Sequence, residues 1–311
     1  MSSCCVCLCV YNNQVGLPFV LNNIDRLRES KIFENLQVLV FYDTCKDSSL
    51  EILKNYMRTK DSSMIIYENP TSLIAPRTER IAYARNGLLN MIKERFSTYE
   101  YFAMMDSNHY SCIGKIRPQV LREMLIRSEE WDAITFDRED GYYDHWALSY
   151  DPYIYSFFHF EDWRDAVAKM RADFNQRMEF LRHTKPNELF RVYSAFNGFG
   201  LYKTTIFIEC KYSSNINILA FPSGMVSKHA EVIGQNIKIM IDNDCEHRFF
   251  HLDGIRRKNA RICISLLSLF ERTNPKESSK KISSNTTTFL MNPKVSSSPP
   301  LKRSMEFHLK N

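Results

Sequence analysis

Four apolar runs, "CCVCLCVY", "LQVLVFY", "SMIIYEN" and "YEYFAMMD", constrain this chain more than any other feature. Each is of strand length, and the first three are followed by residues at helical spacing. After the first come Phe19, Val20, Ile24 and Leu27; after the second, Leu50, Ile52 and Leu53; after the third, the amphipathic "ERIAYARNGLLNMIKERF". Strands apolar along their whole length are covered on both faces, as in parallel sheets with helices on either side. "DAITFDR" and "ARICISLLSLF" read as further strands, and a helix is expected near Trp163 to Arg182. The expectation is therefore an α/β layered fold with a mostly parallel sheet, closing near residue 272.

At 311 residues and 44% hydrophobic, the chain is long enough to bury a full core. From Thr273 on, Lys276, Lys280, Lys281, Lys294, Lys302, Arg303 and Lys310 stand against Glu277 and Glu306, an excess that accounts for the whole formal charge of +5. The body, residues 1–272, is thus neutral and has no reason to neutralise a run of phosphates, so no specific nucleic-acid partner is expected. Residues 273–311 are rich in Ser, Thr, Pro and Lys and are expected to be a disordered basic tail, too polar to offset the entropy of ordering. The cysteines, at 4, 5, 7, 9, 45, 112, 210, 245 and 263, show no repeated metal-ligand spacing. That points to reduced thiols and a cytoplasmic setting. The first apolar run is short and lacks a basic flank, so neither a secretory nor a transmembrane segment is expected there.

Ligands of open parallel sheets bind beyond the carboxyl ends of the strands. Two polar clusters fall at such ends: Asp43 and Asp47 in "YDTCKDSS", and Asp106 and Asn108 in "MMDSNHY". Asp, Ser and Thr also favour turns and helix caps, which is the simpler account of the first cluster. In "APRTERIAYARN", Arg77, Arg80 and Arg85 open a helix, where cations oppose the macrodipole but forked donors suit a diphosphate. An exposed face paired to Glu79 is the alternative for Arg80; Arg85, inside an apolar helix, is the stronger candidate. Trp146 and Asp144 in "YYDHWAL" could face a sugar or belong to the core, and Gly198 could admit a ligand or a tightly packed strand. "NDCEHRFFH" gathers Asp242, Asp244, Glu246, His247 and His251. Its histidines lie four apart on one helical face, without a third ligand to suggest zinc.

The succession of an Asp-containing turn "YDTCKDSSLEIL", "ARN" opening a helix and a DxD-like strand end resembles the GT-A type of nucleotide-sugar glycosyltransferase. More closely, "GYYDHWAL", "YSAFNGFGLYK" and "CEHRFFH" are similar to motifs of a group of predicted glycosyltransferases from bacteria and giant viruses, in order from Cys4 to about Leu267. The resemblance implies a GT-A fold, with transfer of a sugar from a nucleotide-sugar donor to an acceptor hydroxyl on a glycan or glycoprotein. Asp43, Arg77, Arg85, Asp106 and Asn108 would bind the donor. Asp106 and Asn108, with His247 nearby, would hold a divalent cation, Mn2+ or Mg2+. Asp144, Trp146 and Gly198 would meet the acceptor. Glu246 would be the catalytic base, with Asp244 its rival. Two departures matter: Asn108 replaces the second carboxylate of the DxD pair, weakening a hard-cation site, and Ser149 stands where the group often has arginine. A non-catalytic nucleotide-sugar or glycan-binding protein on the same fold, or a nucleotidyltransferase, would share much of this pattern.

Overall fold

In a computed structural model, residues 2–70, 74–108, 111, 114–215, 221–238 and 243–271 are described. Asp242, His109, Cys112 and the tail from 273 on lie outside them. The elements run β1 (Ser3–Val10), α1 (Leu17–Glu29), β2 (Asn35–Tyr42), α2 (Ser49–Thr59), β3 (Ile65–Glu68), α3 (Arg77–Arg95), β4 (Tyr101–Asp106), α4 (Pro118–Ile126) and β5 (Ala133–Asp137). There follow α5 (Trp163–Thr184), β6 (Phe190–Val192), β7 (Phe199–Lys203), a single turn α6 (Thr204–Phe207), α7 (Ser223–Ile233), α8 (Glu246–Lys258) and β8 (Ile262–Ser268).

The strands form one sheet in the order β3-β2-β1-β4-β7-β5-β8-β6. β3, β2, β1 and β4 are mutually parallel, as are β5 and β8. β7 runs antiparallel to both β4 and β5, and β6 antiparallel to β8. The mixed, mostly parallel sheet flanked by helices is the fold class read from the sequence; the reversed strands β6 and β7 and the helices α4 and α7 are additions to it.

Alternation along β1 shows why the apolar runs were continuous. Cys4, Val6, Leu8 and Val10 pack with α1, α2 and α4, while Cys5 and Cys7 pack on the other face with α3 and α5. Cysteine serves here as a small hydrophobe. The eight described cysteines are free, and burial pushes the Cys5 thiol up to about 12.

Asp132, just before β5, ties the sheet's two later crossings together. Its carboxylate accepts from Arg261 Nε at 3.0 Å and Nη2 at 3.0 Å, from the Arg261 amide at 2.8 Å and from Lys203 Nζ at 3.2 Å. Burial alone would raise its pKa; Arg261 and Lys203 outweigh burial and lower it from 3.8 to about 2. A depressed pKa stabilises the fold above the unfolded value and loses that contribution as pH falls through the folded one. Asp132→Asn is accordingly expected to cost about 2 kcal/mol at pH 7 and almost nothing near pH 2. Denaturant titrations across that range check it; an equal cost at both ends would refute the linkage.

Candidate functional site

β1 ends between two carboxylates. The register pairs Cys9 with Asp106 and Val10 with Tyr42, so Asp43 and Asp106 leave the strands on either side of β1 at the same sheet edge. Strands one removed from each other lie roughly 10 Å apart, a gap that a nucleotide can bridge.

One helix serves both carboxylates. From the first turn of α3, Arg80 Nη2 donates to Asp43 Oδ2 at 2.6 Å, with its guanidinium 4.1 Å from the Tyr11 ring centroid. Asp43 Oδ1 also accepts from Asn69 at 3.1 Å. Arg80 therefore pairs with a strand end and not with Glu79. Arg77, at the start of α3, is exposed and makes no ion pair among the described residues.

Arg85 lies a turn and a half further along and is buried. Its Nη1 donates to Glu246 Oε1 and meets His247 Nε2, while Nη2 reaches Asp106 Oδ1 at 3.3 Å. The guanidinium lies 4.8 Å from the Phe196 ring centroid and 5.5 Å from that of Tyr212. Burial disfavours its charge, but Glu246 and Asp106 more than compensate and raise its pKa. With only 7% of its side chain exposed, Arg85 braces the two carboxylates from beneath and is not open to a diphosphate, as the sequence reading had it.

Asp106 keeps 25% of its side chain exposed. Its Oδ2 accepts from Ser111 Oγ at 3.0 Å, and its amide donates to the Gly198 carbonyl at 2.9 Å. Ser111 Oγ lies 2.7 Å from Tyr143 Oη. Gly198, at φ +87°, sits where a Cβ would come within 2.7 Å of Tyr143 Oη and 2.9 Å of Ser111 Cβ. The close approach expected at Gly198 is thus to this hydroxyl pair. Asn108 Oδ1 accepts from the Ser111 amide at 2.8 Å and shapes the turn after β4.

The start of α8 places the two candidate bases each beside an arginine. Glu246, its first residue, is buried against Arg85. Asp244 accepts from Arg248 Nε at 2.8 Å and from the Cys245 amide at 2.7 Å, and it is buried. His247 follows, its buried Nδ1 without a partner among the described residues. Its Nε2 faces Arg85, its ring stacks on Phe196 at 3.8 Å, and burial together with Arg85 and His251 holds its pKa well below the usual histidine range. His251 is structural, lying 2.9 Å from Ser194 Oγ and 3.2 Å from Tyr202 Oη.

Asp144 is half-buried, and among the described residues its Oδ1 accepts only the Ala147 amide, at 3.3 Å. Burial first, then the charges of Asp106 and Glu246, push its pKa from 3.8 up to about 7, with Arg85 opposing. Trp146 packs edge-on against Phe158, and its buried Nε1 has no partner.

Sequence reasoning missed Arg248, which is buried beneath this corner. Besides Asp244, it donates to the carbonyls of Trp146 at 2.5 Å and Leu148 at 3.1 Å and to Ser149 Oγ. Its place in "CEHRFFH", directly before Phe249 and Phe250, was the available signal, an arginine at the start of a largely apolar turn. Among the described residues, no three His, Cys, Asp or Glu side chains converge as a metal-binding group. A cleft of about 970 Å3 between Gln14, Lys46, Lys54 and Arg58 includes none of the candidate residues except the turn residue Asp47.

No family model and no curated protein matches the chain. Among solved structures it is similar to S. aureus TarS, at 14% identity and a TM-score of 0.49, over 88% of this chain and 37% of that one. It is also similar to the glucosyl-3-phosphoglycerate synthase of Mycobacterium tuberculosis solved with Mn2+, UDP and phosphoglyceric acid, at 10% identity and 0.43, over 90% and 74%. A third is the mannosyltransferase PcManGT of Pyrobaculum calidifontis, solved with GDP-Man and Mn2+, at 13% identity and 0.40, over 84% and 56%. The chain spans little more than a third of TarS. At such identities, substrate and chemistry must be argued from this chain's own residues.

Proposed function

We propose that the protein is a glycosyltransferase, moving a sugar from a nucleotide-sugar donor to an acceptor hydroxyl on a glycan. The observation that carries this reading is the corner where a half-open Asp106 at a strand end is braced through buried Arg85 to Glu246 on α8. Asp43 lies at the same sheet edge and Asp144 beside the corner. Strand-end carboxylates two strands apart suit a ligand with a hydroxyl-rich end and an anionic end, which describes a nucleotide sugar.

The charge of the corner specifies how the anionic end is received. Arg85 stands against Asp106, Glu246 and Asp144, and His247 is neutral, so these groups leave the corner negative whether or not Asp144 is protonated. A bare diphosphate would be repelled. Asp106, with a quarter of its side chain exposed at the strand end, fits the single carboxylate that commonly holds Mg2+ or Mn2+ together with substrate phosphates. Such an ion would neutralise charge on the departing diphosphate. With a single carboxylate to hold it, the ion is expected to bind together with the donor, as a pair.

The chain's own residues supply position. Arg85 fixes the direction of Asp106, Ser111 and Tyr143 hold its second oxygen, and Asp43 with Arg80 and Tyr11 forms a polar and aromatic station for the nucleoside. Trp146 and Asp144 lie on the acceptor side.

Thermal shift with a panel of UDP- and GDP-sugars, with Mn2+ or with a chelator, tests the reading. A donor at a hundredfold excess over its dissociation constant stabilises by about 2.7 kcal/mol, raising Tm by roughly 5–11 °C. The shift is expected with Mn2+ only, and to disappear in Asp106→Asn. No shift with any donor and either metal condition would overturn the reading. Binding without release of nucleoside diphosphate would favour a binding protein.

A further inference from the structure

The carboxylates near the corner differ in what they are already doing. Glu246 is enclosed with Arg85, and Asp244 with Arg248 and the Cys245 amide. Asp106 accepts from both Arg85 and Ser111 at the end of β4. Asp144 alone among these four makes no ion pair, and its side chain carries one hydrogen bond, from the neutral Ala147 amide. Its second oxygen is not a buried orphan, so it stays within reach of solvent or ligand.

Its position is fixed from both sides. The preceding Tyr143 contacts Ser111 at 2.7 Å, which in turn bonds Asp106, so this segment is tied to the donor corner. The following Trp146 and Leu148 present their carbonyls to buried Arg248, which anchors the segment to α8. The Ala147 amide also donates to the Asp144 carbonyl at 3.2 Å, closing a turn that holds the carboxylate in place. The groups whose charges bear on it are Asp106 from β4, Glu246 and the neutral Cys245 thiol from α8, Arg85 from α3, and its neighbours Tyr142 and Tyr143. Two anions against one cation favour arrival of a proton at this carboxylate.

Resting on the sugar-transfer reading, we propose that Asp144 is the catalytic base that takes the proton from the acceptor hydroxyl. As the acceptor oxygen's electron pair forms the new bond to the anomeric carbon, that carbon's bond to phosphate oxygen breaks. The bonding pair leaves on the nucleoside diphosphate, and the acceptor proton passes to Asp144 and then to solvent. Attack from the face opposite the leaving group gives inversion. Glu246, expected from sequence to be the base, instead positions Arg85.

The test uses the full chain with the UDP- and GDP-sugar panel and Mn2+, water serving as the acceptor probe. Nucleoside diphosphate release and donor affinity are measured separately for wild type, Asp144→Asn and Asp144→Glu. Asp144→Asn, close to isosteric, is expected to bind donor within twofold of wild type while release falls at least a hundredfold; Asp144→Glu, which restores a carboxylate, is expected to recover at least a tenth of the lost rate. Glu246→Gln should lower donor affinity and release together. Release by Asp144→Asn within tenfold of wild type, with unchanged affinity, would overturn the assignment alone. A wild type that binds and consumes no donor would overturn the sugar-transfer reading as well.

Discussion

Arg85→Met is expected to destabilise the fold by roughly 3–5 kcal/mol, the usual cost of leaving one partner of a buried ion pair without the other. Methionine roughly fills the space of the side chain's apolar stem, so the loss is electrostatic more than steric. Glu246 would remain buried without a cation, and Asp106 would lose the donor that sets its direction. The midpoint and slope of a urea titration measure the effect. The double variant Arg85→Met with Glu246→Gln should recover a large part of the loss, because no charge is then stranded. A single-variant cost below about 1 kcal/mol would place the pair with exposed ion pairs, whose worth is of that size. Donor binding should be lost even where Arg85→Met is folded, since Asp106 is no longer braced.

Arg248→Met is expected to do at least as much damage, again about 3–5 kcal/mol. Its guanidinium serves the Asp244 carboxylate, the carbonyls of Trp146 and Leu148 and the Ser149 hydroxyl, all in a buried setting. Each acceptor left without a donor adds a desolvation penalty. Arg248→Lys should rescue only partly, because an ammonium lacks the planar fork that reaches carboxylate and carbonyls at once. Circular dichroism during thermal unfolding would show the loss, and full rescue by lysine would contradict the geometry. The same contacts account for Ser149. An arginine there would set a second guanidinium against Arg248, so serine suits a chain that supplies this charge from α8.

The parallel half of the sheet was legible because both of its faces are covered, which leaves uninterrupted apolar strings such as "LQVLVFY". β7 was visible as an apolar segment, but its reversed direction was not, since a strand's direction leaves no mark in its composition. β6 is three residues long, below what periodicity can resolve. At the site, Asp106 and Arg85 were identified correctly as buried or strand-end charges, whereas their partners were not. An ion pair between Arg85 and Glu246 joins residues 161 apart, a relation that no local pattern encodes. Which of Glu246 and Asp144 is already engaged by a cation is likewise set by the fold and leaves no mark in the local sequence.

The reversed β7 bears on how the molecule assembles. β1 to β4 draw on the first 106 residues, whereas β5 and β8 are joined to them only through β7, whose residues come almost a hundred positions after β4. Until that strand inserts, each block presents an open edge able to pair with another chain. The donor corner straddles the same seam, with Asp106 on one block and Glu246 beyond it. Emergence of the chain during synthesis thus sets a natural order in which the corner is completed only after the seam has closed.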